Sequence, residues 1–107
     1  MRYDIVLAPS AARELRRLKA KVRGEVRDAI EYYLRHEPTK TSKSRIKRLR
    51  GLTHPQYRLR VDEIRVFYDV TDSNVEVLAI VSKSEAESWL AEAAEPEGET
   101  DEESGSV

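Results

Sequence analysis

The stretch YRLRVDEIRVFYDV, residues 57–70, constrains the fold more than any other part of the chain. Apolar and polar side chains alternate through it, which is the period of a β-strand with one buried face. Pairing Val61 with Ile64 across a two-residue Asp62-Glu63 turn sets Leu59 opposite Val66 and Tyr57 opposite Tyr68. Those six side chains share one face of a hairpin. The other face then carries Arg60 beside Arg65, and Arg58 beside Phe67. The turn lacks the Asn-Gly or Asp-Gly pair that would fix this register, so the register rests on the alternation alone.

The flanking sequence supplies the partners of such a hairpin. RYDIVLA (2–8) reads as a strand, stopped by Pro9 and Ser10, with Ser10 as the expected N-cap of a following helix. From 11 to 36, Ala11, Leu15, Leu18, Val22, Val26, Ile30 and Tyr33 recur at helical spacing. One continuous helix of that length would overhang a small sheet, so two helices with a break near Ala20 and Lys21 are expected. Residues 36–44 read as a polar loop, and RIKRLRGL (45–52) as a basic segment anchored by Ile46, Leu49 and Leu52, with Gly51 at a turn. Strands are expected at 56–61, 64–71 and 74–81, the last apolar enough to be buried on both faces. SEAESWLAEAA (84–94) reads as a short helix capped by Ser84, with Trp89 and Leu90 docking on the core. The order β, α, α, β, β, β, α predicts an α+β domain. In it, the N-terminal strand and a three-stranded meander form one four-stranded sheet with helices on one face.

Charge divides the chain in two. All 19 Lys and Arg lie within residues 1–91, against 13 Asp and Glu there, whereas residues 92–107 hold 7 acids and no base. A basic domain, 1–91, followed by an acidic, structureless tail, 92–107, is the expected organisation. The tail could mask the basic face in cis through residues 95–103, or serve only solubility. No segment is apolar enough for a signal peptide or a membrane span, and the chain has no cysteine, which fits a reducing cytoplasm.

Three arginines on one hairpin face suit an anion, because guanidinium forks match phosphate oxygens. Phe67 beside them could stack on a base. Lys40, Lys43, Arg45, Lys47, Arg48 and Arg50 would extend the field along a phosphate backbone. The competing explanation is a solvated face on which Asp62, Glu63 or Asp69 balances the arginines. His54, in the loop before the hairpin, lies within reach of the site and reads first as a solvated side chain. His36 reads as a helix C-terminal residue.

KRLRGL (47–52), YRLRV (57–61), IRVFYDV (64–70) and VEVLAIVSK (75–83), in this order after a strand and a helical hairpin, resemble the RelE/ParE superfamily of bacterial toxins from type II toxin–antitoxin systems. The resemblance covers residues 1–91. It implies the RelE-like fold, a cognate antitoxin partner, and a cytoplasmic protein with neither a metal nor a small-molecule cofactor. RelE-like members cleave mRNA in the ribosomal A site by attack of the ribose 2′-OH on the adjacent phosphate, so ribosome and mRNA are implied partners. On this likeness Arg58 and Arg60 would bind phosphate, Arg65 would stabilise the transition state, and Lys83 would support it. The family's nucleases place an arginine just after the last strand and a tyrosine or histidine a few residues later. Here Ser84 stands at the first position and Trp89 or Leu90 near the second, and an indole moves no protons. The resemblance therefore also admits a ParE-type toxin that inhibits gyrase without chemistry of its own, or a catalytically weak binding module.

Overall fold

The computed structural model describes residues 1–97. The chain forms β1 (Asp4–Leu7), α1 (Pro9–Arg17) and α2 (Ala20–Ala29), which runs on through a π-helical turn at Ile30–Leu34. It continues with β2 (Ile46–Arg48), β3 (Leu52–His54), β4 (Tyr57–Val61), β5 (Ile64–Val70), β6 (Asn74–Ser82), α3 (Lys83–Ala93) and β7 (Glu95–Pro96). The class is α+β, as expected, but the main sheet has five strands rather than four, in the order β1-β6-β5-β4-β2. β1 is parallel to β6, and the other neighbours are antiparallel. The fifth strand is the basic segment itself, whose residues 46–48 pair with 59–57 along the open edge of β4.

The break between the helices falls at Leu18 and Lys19, whose extended ψ values of 149° and 150° end α1 and start α2. Arg23 clamps it by donating from Nη1 to the carbonyls of Leu18 (2.9 Å) and Arg16 (3.1 Å). Ser10 is not the cap of α1. Ala8 is, because Pro9 takes the first helical position, where a missing N–H costs nothing. Ser82, not Ser84, precedes α3 as its cap residue.

The hairpin register is the one the alternation predicts, Tyr57–Tyr68, Arg58–Phe67, Leu59–Val66, Arg60–Arg65 and Val61–Ile64. Leu59, Val66 and Tyr68 are fully buried with Ala11, Val26 and Leu34 of the helical layer. The Tyr68 hydroxyl donates to the carbonyl of Pro38 at 2.7 Å, and burial raises its phenol pKa well above the ordinary value. β6 carries a bulge at Leu78, since Phe67 pairs with Ala79 and Tyr68 with Val77. The bulge lets Val75 and Val77 before it and Ile80 after it face the same core. Glu14 of α1 accepts the Ile80 N–H at 2.8 Å there.

The helices do not all lie on one face. Trp89 of α3 stacks on Phe67, whose side chain points away from the core of α1 and α2, so α3 covers the opposite face of the sheet. Beyond α3, β7 pairs with β3, and the Glu97 N–H donates to the Gly51 carbonyl at 2.8 Å. Gly51 sits at φ 78°, the left-handed conformation that its expected turn needs. Glu95 and Pro96, expected to be structureless, are therefore paired, while the rest of the acidic segment, 98–107, lies outside the described residues.

Candidate phosphate-binding site

Strand parity decides which basic side chains meet. On the outer face, Arg65, Phe67 and Asp69 follow one another along β5, Arg60 and Arg58 lie opposite on β4, and Lys47 is the register partner of Arg58 on β2. Arg60 is exposed, and with Ser44, Arg45 and Asp62 it lines a cleft of about 370 Å³. Arg58 is half-buried. Burial first, and then the charges of Arg65 and Arg60, lower its guanidinium pKa below the ordinary value. Its Nε is buried without a hydrogen-bond partner. Lys83 opens α3 at the turn end of this face, where its backbone N–H donates to the Glu63 carbonyl at 2.7 Å.

Arg65 differs from the free cation expected of it. It is only 8 % exposed, and its Nη1 donates to the carbonyls of Asp62 (2.7 Å) and Ile64 (3.1 Å). The side chain ties down the turn and contributes charge to the site through its field on Arg58. Phe67 is no open stacking platform either. It is 1 % exposed beneath Trp89, with ring centroids 5.0 Å apart and planes 13° from parallel.

The basic loop does not form one continuous field. Arg48 pairs with Tyr57 and so belongs to the helix face. Its guanidinium lies 5.4 Å from that ring and donates to the carbonyls of Gln56 and Leu49. Arg45 leans over Tyr33 at 5.1 Å and donates to the Arg60 carbonyl. Lys40 lies 3.8 Å from Glu37. Lys43, Lys47 and Arg50 are exposed, and of these Lys47 shares the outer face with Arg58.

The end of the face away from the turn holds an arrangement that sequence spacing did not bring together. His54 Nδ1 lies 2.6 Å from Asp69 Oδ2, and Asp69 Oδ1 accepts the Gln56 N–H at 2.8 Å. Asp69 is buried, while the His54 side chain is 45 % exposed. The one available signal was parity, which puts Asp69 on the arginine face. At the start of α3, Ser84 is exposed, and Ser82 Oγ lies 3.1 Å from both Ser84 Oγ and Glu85 Oε1. Among the described residues no three His, Cys, Asp or Glu side chains gather as a metal site.

Comparison with known proteins places this architecture. In fold the chain is similar to the RelB–RelE antitoxin–toxin complex from Methanococcus jannaschii (TM-score 0.61, 18% identity, 78% of this chain and 96% of that one). It is similar to the RelBE2 toxin–antitoxin complex from Mycobacterium tuberculosis (TM-score 0.60, 21% identity, 77% and 99%). It also resembles the archaeal RelE–RelB complex from Pyrococcus horikoshii OT3 (TM-score 0.58, 26% identity, 78% and 97%). No curated protein sequence matches it. Residues 5–87 match the family model described as the ParE toxin of the type II toxin–antitoxin system, parDE. That match spans the hairpin, both helices before it and the start of α3, and the chain belongs to the ParE toxin family, within the RelE/ParE superfamily of type II toxin–antitoxin toxins.

Proposed function

We propose that this toxin acts in the cytoplasm as a ribosome-dependent mRNA endonuclease, held in check by a cognate antitoxin. The observation that carries the reading is Arg58. Its Nε is buried and unpartnered, and its guanidinium is desolvated beside Arg60 and Arg65. Such crowding of like charges is relieved by an anion, and a phosphate oxygen is a matching acceptor. Solved toxins of similar fold occur in complexes with antitoxins, which supports a protein partner of the same kind here.

In the reaction the ribose 2′-OH attacks the adjacent phosphorus, the O2′–P bond forms and the P–O5′ bond breaks, leaving a 2′,3′-cyclic phosphate and a 5′-hydroxyl. Negative charge grows on the non-bridging oxygens as the phosphorane forms. Arg58 and Arg60 would bind it, with the field of Arg65 and Lys83 in support. A second reading, inhibition of gyrase by binding, is favoured by the absence of a proton-moving side chain at Ser84 and Trp89.

Mapping mRNA ends on translating ribosomes after expression of the chain separates the two. Codon-spaced A-site cuts that disappear with Arg60→Ala support the endonuclease. Intact mRNA with trapped gyrase–DNA complexes overturns it.

A further inference from the structure

Cleavage by a 2′-OH needs a group to take its proton, and an arginine cannot, since it holds its own proton at any physiological pH. Neither Ser84 nor Trp89 supplies one. The outer face has one imidazole. Asp69 follows Phe67 on β5 with the same parity as Arg65, so its carboxylate belongs to the face that carries the arginines. Gln56 hands its backbone N–H to one carboxylate oxygen, and His54 lies against the other. Arg58 stands two residues beyond Gln56, which immediately precedes β4, about 7 Å at the ordinary rise of extended chain. Arg58 is thus flanked by Arg60 on one side and by the His54–Asp69 pair on the other.

We propose that His54, oriented by Asp69, is the general base of this face, a role that rests on the endonuclease reading. An ionised carboxylate only accepts hydrogen bonds, so the network assigns the proton to His54 Nδ1 and leaves Nε2 as an acceptor. The half-exposed ring can meet a ribose, while the buried carboxylate cannot. The 2′-OH proton passes to Nε2 as the O2′–P bond forms. The imidazolium is stabilised by Asp69, and the departing 5′-oxygen takes a proton from solvent water. His54 touches the reacting group, whereas Asp69 is a positioning residue. The charged groups on the strands beside the ring are Asp69 on β5, which it contacts, Glu76 on β6, the register neighbour of Asp69, and Glu95 on β7, the register neighbour of His54, with Arg58 further along β4.

The alternative is that the pair only fastens the loop before β4. His54→Asn tests this, because an amide can keep the hydrogen bond to Asp69 while having no basic nitrogen. Single-turnover cleavage of ribosome-programmed mRNA by the full chain is the assay, with ribosome binding and urea midpoint measured alongside. For the wild type, the rate should rise with pH across about pH 5 to 8, as a base requires. His54→Asn should bind the ribosome normally, cleave about 100-fold more slowly and lose that pH limb. Asp69→Asn keeps an acceptor for Gln56 but offers His54 an N–H. This favours the wrong tautomer, and cleavage should slow about ten-fold or more. Cleavage by His54→Asn within about three-fold of wild type, or a wild-type rate flat across that pH range, overturns the assignment while leaving the endonuclease reading standing. Intact mRNA with the wild-type chain overturns both.

Discussion

Trp89 lies flat on Phe67, with centroids 5.0 Å apart and planes 13° from parallel, and this stack fastens α3 to the outer face of the sheet. It occupies the place next to Arg58 where an open aromatic would otherwise meet a base. Trp89→Ala should therefore do two things. Stability should fall by about 2 kcal/mol, less than a fully buried tryptophan would lose, because Trp89 is only half-buried. Phe67 should become accessible to solvent and to nucleic acid. A urea denaturation midpoint followed by circular dichroism, with RNA binding measured in parallel, checks both effects.

Arg58 should show opposite signs in stability and in binding. Its guanidinium is disfavoured by burial and by two neighbouring arginines. Arg58→Met keeps the aliphatic stem and removes the charge. Because much of the group is still solvent-screened, the expected gain in stability is small, about 0.5 kcal/mol. RNA affinity should weaken, and the slope of log affinity against log salt should become shallower by about 1, the loss of one phosphate contact. Urea titrations and binding isotherms at several salt concentrations test the pair of effects together. A loss of stability with unchanged salt dependence would show that Arg58 is a structural cation.

Much of the hairpin was legible because a strand has only two faces. Once Tyr57, Leu59, Val61, Ile64, Val66 and Tyr68 were assigned inward, the arginines had one place to go. The segment 45–50 was less legible. Ile46, Leu49 and Leu52 recur every third residue, which is not the period of a strand, and the three-residue β2 exists because the edge of β4 is open to pair with it. Composition made its cations look like one field, whereas parity turns Arg48 onto Tyr57 on the other side and the Tyr33 ring draws Arg45 to the edge of the sheet. The His54–Asp69 contact joins residues 15 apart on different strands, and no local pattern encodes it. Phe67 misled for a tertiary reason, since the residue that covers it comes from a helix after the sheet.

The Asp62 turn yields a prediction that follows from its chemistry. Asp62 adopts φ 54°, a left-handed conformation that costs an L-residue energy and that glycine adopts freely. The contact it makes to Arg65 uses its backbone carbonyl, so the side chain is dispensable to that bond. Asp62→Gly should raise stability by about 0.5 kcal/mol, the relief of strain being partly offset by the greater freedom of glycine in the unfolded chain. Asp62→Val should lower it, because a β-branched side chain fits the left-handed region poorly. Urea midpoints of the two variants, one on each side of wild type, are the expected result.

The Glu31–Arg35 pair should make stability depend on acid pH. Arg35 closes the π-helical turn onto β1, donating from Nη1 to the Tyr3 carbonyl at 3.1 Å while the Tyr3 N–H donates to the Arg35 carbonyl at 2.8 Å. Glu31 holds the guanidinium in place through both of its carboxylate oxygens. The hydrogen bond from Arg35 holds the Glu31 carboxyl below its ordinary value of 4.5, against the opposing effect of burial. A carboxyl whose pKa is lowered on folding binds protons less readily in the native state than in the unfolded one. Its contribution is therefore complete above the unfolded value and is lost as pH falls through the native one. Replacing it in Glu31→Gln should lower the urea midpoint at about pH 7, and the gap from wild type should narrow below about pH 4.5 and close once the native carboxyl is protonated. The variant should also be less sensitive to salt at neutral pH, since the pair it removes lies at the surface and is screened. A gap that stayed constant down to acid pH would show that Glu31 stabilises the turn by packing and not by its charge.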